Sequence, residues 1–463
     1  MSRANGPLDI AGTWDLRAPE RALLAWSVVT IALGFFMLWG STHVGGEAIG
    51  RLDLLPLVLY ALSLLTLHLM LVTARFGGDQ LILVAVAFLS GFGMLAQYRM
   101  GSFETTGTIS LNLILFPIGL ILTGATAIVL MRGRYQAVTQ GHWIWVWAML
   151  SLGLLAMLLM FGQRFRGGVY AAGLSTPSEI LKVTIVLFVA GFVARNAKSL
   201  SFWGHGLPLP PWRALLPLAG FWLVLASLLV VQRDLGLFII LSIALLTMLF
   251  VGTGRSGYLL LGGIGAFVMV AVVSSVLPHG ARRVAAWLDP FLDPTGGSWQ
   301  ILQGLSGMFS GGLWGEGFGR GNPEYTPIAQ SDFIYSVIGE ELGFAGCAIV
   351  ILFFLILFGR SLLVASRAPD NDGRLVGVGL VTVLATQTFL NIGGVTKFVP
   401  LTGLPLPFIS HGGSSLITGF IGIGILLAVS DGQPAAPPRN RIAKPAKGVS
   451  RKGAQRNRRT STD

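Results

Sequence analysis

The chain has 463 residues, of which 53% are hydrophobic and only 11% charged, and its mean hydropathy is +0.73. Soluble domains carry roughly 25% charged residues, so the composition argues against a water-soluble enzyme. The net charge of +12 does not point to nucleic acid either, because nine of the 32 basic residues fall in the last 25 positions, between Arg439 and Arg459.

In chain order, residues 1–20 are polar and are expected to be loose. The first apolar segment follows Arg17 and Arg21. It is long for a signal-peptide core and lacks a small-x-small cleavage site, so it reads as an uncleaved span. Apolar segments then run near 23–41, 54–74, 80–97, 111–131, 142–162, 177–196, 213–231, 235–253, 257–277, 341–359, 374–395 and 413–430. Each approaches the length needed to cross a hydrocarbon core of roughly 30 Å. The expected fold is an all-α polytopic bundle of about twelve membrane helices. The single cysteine, Cys347, lies in one of these runs and excludes an intramolecular disulfide.

Lys and Arg in the connecting segments set the orientation. With both termini cytoplasmic, the inside segments hold 22 of the 32 basic residues and the outside ones 9, and Lys182 lies within a span. This puts segment 278–340 on the extracytoplasmic face, together with Arg164, Arg166, Asp234, Lys397 and His411. The expected organisation is a cytoplasmic segment 1–22, a membrane region 23–141, a membrane core 142–430 and a basic tail 431–463. That tail is rich in Pro, Ser and Thr without apolar periodicity, which reads as disorder with some attraction to anionic lipid heads.

The stretch from Pro290 to Gly343 interrupts the apolar pattern with a glycine-rich run, then gathers Glu316, Glu324, Asp332, Glu340 and Glu341. A long polar insertion between spans is more often functional than an ordinary connection, and this one reads as the roof and part of the floor of an active site. Ionisable residues within or beside spans are the other signals. Glu179 and Lys182 stand three apart on one helix face, either as a neutralising packing pair or as a site for an anionic headgroup. Asp234 in Gln232-Arg233-Asp234-Leu235-Gly236 reads as a helix cap or as a cavity residue. The adjacent Arg282 and Arg283 suit a pyrophosphate, or are solvated loop charges. Asp332 precedes a long apolar helix, where a carboxylate is often only a cap. The Pro/Gly-broken stretch 402–415, with Ser410 and His411, is tolerated at membrane depth only if it lines a cavity or is buried in protein. His68, inside a span, reads as a packed helix histidine. The six histidines show no metal-ligand spacing.

These motifs resemble the family of shape, elongation, division and sporulation proteins represented by FtsW, RodA and SpoVE. The matching pieces are PSEILK at 177–182, QRDLG at 232–236, DPTGGSWQ at 293–300, SGGLWGEGFG at 310–319, SDFIYSVIGEELG at 331–343 and TGLPLPFISHGGSSL at 402–416. They follow the family's order over roughly 142–430. Two positions depart from the pattern: Arg233 replaces a usual proline and His411 a usual tyrosine. Members usually have ten spans, which leaves two surplus ones ahead of the PSEILK helix.

The resemblance implies a peptidoglycan glycosyltransferase that polymerises lipid II at the outer face of the bacterial cytoplasmic membrane, alongside a class B penicillin-binding protein that supplies the transpeptidase. It implies Asp332 as the catalytic residue. Glu179, Lys182, Asp234, Arg282, Arg283, Glu340, Ser410 and His411 are the expected substrate-binding positions. No cofactor is expected, with Mg2+ or Mn2+ left open. A lipid-linked precursor flippase is the rival reading, since twelve spans with buried charges also suit a transporter. A non-catalytic scaffold is a third.

Overall fold

The computed structural model describes residues 9–42, 51–103, 110–165, 168–170, 177–202, 211–276 and 278–431. The expected basic tail lies almost wholly outside these residues. In chain order the helices are α1 (Ile10–Leu16), α2 (Ala18–Thr42), α3 (Arg51–Thr73), α4 (Leu81–Arg99), α5 (Leu111–Leu130), α6 (Tyr135–Thr139) and α7 (Trp143–Phe161). A two-stranded hairpin follows, β1 (Gln163–Phe165) paired antiparallel with β2 (Gly168–Tyr170). Then come α8 (Leu181–Ser201), α9 (Trp212–Gln232), α10 (Leu235–Thr253), α11 (Gly257–Val276), α12 (Pro278–Leu288), α13 (Trp299–Gly311), α14 (Ile334–Ser366), α15 (Asn371–Val395) and α16 (Gly413–Ser430).

Eleven of these helices are long and apolar enough to cross a membrane, and a shorter apolar stretch, Gly257–Met269, lies in α11. With that shorter stretch included, they correspond in position to the twelve expected spans; among the described residues eleven reach spanning length and the one expected near 257–277 does not. A helix satisfies its own backbone groups, which is why apolar runs in hydrocarbon take this form. Side chains supply the caps at several helix starts: Ser110 Oγ accepts from Asn112 N at 3.3 Å, and Asp370 Oδ1 from Gly373 N at 2.7 Å. Burial is uneven. α4, α8 and α15 are wrapped by neighbours, whereas α2, α7 and α9 turn much of their apolar surface outward, as lipid-facing helices do.

Of residues 1–20, expected to be loose, those from Asp9 onward are described and are ordered. From Ile10 onward the segment is helical, and Arg17 and Glu20 are fully buried. Arg17 pairs with Glu20 and donates Nη1 to Phe76 O at 3.2 Å, while His68 Nδ1 lies 2.8 Å from Glu20 Oε1. The charged residues that made this stretch look solvated thus satisfy one another inside the bundle. His68, expected to be only a packed helix residue, is part of that cluster.

Segment 278–340 is likewise more ordered than a loop. α12 and α13 lie within it, and the long helix α14 starts at Ile334, earlier than its apolar run suggested. α13 seats on the start of α14 through Gly304, where an added Cβ would lie 2.5 Å from the ring of the fully buried Phe333.

Candidate functional site

Asp332 sits two residues before α14, half-buried, with Oδ1 accepting from Ser331 Oγ at 2.8 Å. The residues around it are sewn to the irregular stretch 402–412 by side chains from several helices. Ser410 Oγ donates to Ser331 O at 2.6 Å and accepts from Leu406 N at 2.8 Å. His411 N donates to Gln330 O at 2.8 Å. Gln97 Nε2, from α4, reaches Gln330 O at 2.8 Å and Ile409 O at 3.3 Å. Residues 406–410 of this non-helical backbone are buried in protein, with Leu406 O and Ile409 O accepting hydrogen bonds, which is the condition for such a segment at membrane depth.

Asn391 on α15 joins the two strands of this seam. Its Nδ2 donates to Asp332 O at 2.9 Å and to Leu404 O at 2.7 Å. One turn earlier on the same face, Gln387 Nε2 donates to Pro405 O at 2.7 Å, and Gln387 Oε1 accepts from Lys182 Nζ at 2.8 Å. Lys182 also pairs with Glu179, and both are nearly buried. A continuous polar chain thus runs from Glu179 and Lys182 on the α8 side, through Gln387 and the 404–405 backbone, to Asn391 and Asp332. A cavity of about 20 Å³ lies against Lys182, Gln387 and Ser415, enough for roughly one water.

Two further groups approach the same place. Arg283, exposed on α12, donates Nη1 to Thr402 O at 3.1 Å. A Cβ built on Gly403 would lie 3.5 Å from Asp332 Oδ2 and 4.0 Å from Arg283 Nη2, so glycine there, at φ +73°, leaves the space between acid and cation unfilled. Asp234 caps α10 by accepting from Leu237 N at 3.0 Å. Burial pushes its carboxyl above the usual range, and Glu179 adds to this while Lys182 and Arg283 oppose it. Asp234 is therefore both a cap and a member of the group.

The remaining expected residues make further contacts of their own. Arg282 is exposed. Glu340 is buried and accepts from Asn322 N at 2.7 Å, which ties it to segment 312–322 rather than to 402–412. Its neighbour Glu341 accepts from Arg99 Nε at 2.7 Å and Gly319 N at 3.2 Å. The glycine-rich run wraps these two carboxylates. Gly343 makes this wrap fit: it kinks α14 at φ +65°, ψ −164°, and a Cβ on it would lie 2.4 Å from Gly315 N. His411 Nε2 lies 2.7 Å from Asn112 Oδ1, and burial lowers its pKa. Arg233 closes α9 at φ +64°, a conformation that a proline ring, fixed near −65°, does not reach.

Sequence reasoning missed Gln97, Gln387 and Asn391. For Gln387 and Asn391 the signal was the i, i+4 spacing of two amides on one face of an otherwise apolar helix; Gln97, alone in α4, offered none.

The family model for cell cycle proteins of the FtsW, RodA and SpoVE type matches residues 79–434. This stretch contains ten of the twelve apolar helices, from α4 to α16, and leaves α2 and α3 ahead of it. The chain is similar to the peptidoglycan glycosyltransferase RodA of Mycobacterium tuberculosis, at 31% identity over 419 residues, 88% of this chain and 84% of that protein. A probable peptidoglycan glycosyltransferase FtsW of Geobacter metallireducens is 33% identical over 374 residues, 78% of this chain and 96% of that protein. Among solved structures, a chain of a peptidoglycan synthase complex that coordinates polymerisation and crosslinking superposes with a TM-score of 0.59 at 26% identity. It covers 76% of this chain and 98% of that one. The fold of RodA from Thermus thermophilus matches with a TM-score of 0.52 at 24% identity, over 76% of this chain and 97% of that one.

Proposed function

The chain belongs to the family of FtsW, RodA and SpoVE cell cycle proteins, and from that premise we infer that it is a multi-pass membrane peptidoglycan glycosyltransferase. Its relatives carry that activity in their names, which disfavours the flippase reading. The proposed reaction polymerises lipid II at the outer face of the bacterial cytoplasmic membrane, with both termini cytoplasmic. The partner is a class B penicillin-binding protein.

The observation that carries the mechanism is the polar chain converging on Asp332. An acceptor sugar 4-hydroxyl is a poor nucleophile at neutral pH. Asp332 takes its proton as the oxygen attacks the anomeric carbon of the donor, a role worth typically 10²–10⁴-fold. The bond from that carbon to the lipid pyrophosphate breaks on the opposite face, so the anomeric centre inverts. Arg283, across the gap left by Gly403, is placed to receive the departing pyrophosphate as a charge-assisted donor. Lys182, neutralised by Glu179 and held by Gln387, supports the seam and leaves leaving-group duty to Arg283. Asp234 tunes the same cavity.

The test offers labelled lipid II to the purified protein, alone and with a partner transpeptidase, with and without Mg2+ or Mn2+. Asp332→Asn should abolish polymer while keeping expression and thermal stability. Polymer formed at the wild-type rate would remove Asp332 from the mechanism. Translocation in sealed liposomes without polymer would restore the transporter reading, and activity residing only in the partner would leave a scaffold.

A further inference from the structure

At the end of the bundle opposite Asp332, the structure holds a cavity of about 390 Å³ where α7 and α9 begin and α8 ends. Its walls divide by chemistry. Ile144, Trp145 and Phe192 make an apolar side, and Arg195, Asn196 and Arg213 a polar one. The size falls within the range of small-molecule sites. Trp143, Trp145 and Trp212 stand at this end with a third or more of their surface exposed. Such amphipathic rings mark headgroup depth in a bilayer.

Two guanidinium groups lining one cavity repel each other unless an anion lies between them. Arg195 is partly accounted for: Nη1 donates to Thr139 O at 3.3 Å, and the group is in electrostatic reach of Asp372 on α15. Asp372 is itself held by Gln140 Nε2 at 3.1 Å. Arg213 has no carboxylate partner among the described residues; its guanidinium lies over the Trp212 ring at 5.3 Å. Each arginine has more donors than these contacts use. The cavity thus pairs an unmatched cation and apolar walls with a position at the membrane boundary, which is the chemistry of a phosphodiester carrying acyl chains.

We propose that this cavity binds the headgroup of an anionic glycerophospholipid, its phosphate between Arg195 and Arg213 and its glycerol and upper acyl chains against Ile144, Trp145 and Phe192. The site is separate from the glycosyl-transfer site and does not depend on that activity.

The experiment is native mass spectrometry of the full chain in detergent, titrated with phosphatidylglycerol and, in parallel, phosphatidylcholine. The wild type should retain phosphatidylglycerol preferentially. Arg213→Gln should weaken that retention about tenfold, the scale of one charge-assisted contact, without disturbing the Arg195 bond to Thr139. Arg367→Gln removes a charge outside the cavity at the same end and should leave the preference intact. Equal retention of the two lipids, an unchanged preference in Arg213→Gln, or an equal loss in Arg367→Gln would overturn the proposal. Displacement of the lipid by inorganic phosphate at equal concentration would overturn it too, by assigning the arginines to free phosphate.

Discussion

Asn391 holds Asp332 through the backbone. One amide group fixes the carbonyl of the acid and that of Leu404 together, so the carboxylate's position depends on a side chain from α15 that is almost fully buried. Asn391→Asp keeps the shape but replaces the donor with an acceptor facing two carbonyls. The expected result is a fall in kcat of roughly a hundredfold, the scale of an ångström-sized misplacement, with KM for lipid II little changed. Steady-state polymerisation kinetics check this. A change confined to KM would mean that Asn391 contacts substrate instead.

Asp332, Glu179 and Lys182 were legible in the sequence because charge stands out in hydrocarbon. Asn391, Gln387 and Gln97 were not, since a neutral amide in a span carries no such contrast. Apart from Ser102, which donates to Gln97 from five positions on, their partners lie 13 to 312 positions away in the chain, a pairing no spacing rule reveals. The same distance hid the partners of Glu340 and Glu341. Both carboxylates bond to the glycine-rich wrap, Glu340 through Asn322 N and Glu341 through Gly319 N. Arg17 and Glu20 misled in the opposite direction, appearing solvated because their neighbour in space, His68, is 48 positions on.

Among the elements, α14 is decisive. Its first two turns carry Glu340 and Glu341, and its apolar length begins only after the kink at Gly343. The hydropathy pattern showed the second part and missed the first, because the polar turns resemble loop. The wrap closes on the kink: Phe344 N donates to Gly312 O at 2.9 Å and Ala345 N to Leu313 O at 3.1 Å. Gly343→Ala would force a side chain into a backbone region that only glycine visits readily, at about 1–3 kcal/mol, and would also meet Gly315 N. We expect a lowered thermal-unfolding midpoint in detergent and exposure of the 312–322 segment to protease. An unchanged midpoint would show that the kink is not required. Gly359, further along the same helix with open space around it, is the control.

For the whole molecule, the positions of the twelve apolar helices, eleven of them of spanning length, were predictable from hydropathy alone, and ten of the twelve fall within the family match. The two that precede it are held to each other by the buried charges of Arg17, Glu20 and His68. Glu20→Ala leaves the Arg17 guanidinium buried without its counter-charge, a change that costs about 3–5 kcal/mol. It should loosen α1–α3 selectively, read as faster proteolysis before residue 79 with the remainder intact. Arg17→Met with Glu20→Leu, which removes both charges, should recover much of the loss. Uniform proteolysis across the chain would argue against a separable attachment.

That attachment has a consequence for how the extra helix pair finds its place. Lipid tails are as apolar as leucine, so the greasy flank of α2 gains little by choosing protein over bilayer, and could rest against many faces equally well. An arginine, a glutamate and a histidine meeting beneath Phe76 have no such indifference, because hydrocarbon offers them nothing. They act as an address, written in charge, that gives α1, α2 and α3 one arrangement against each other, and Gln80 Nε2, donating to Leu16 O at 2.8 Å, joins that unit to the ten-helix body.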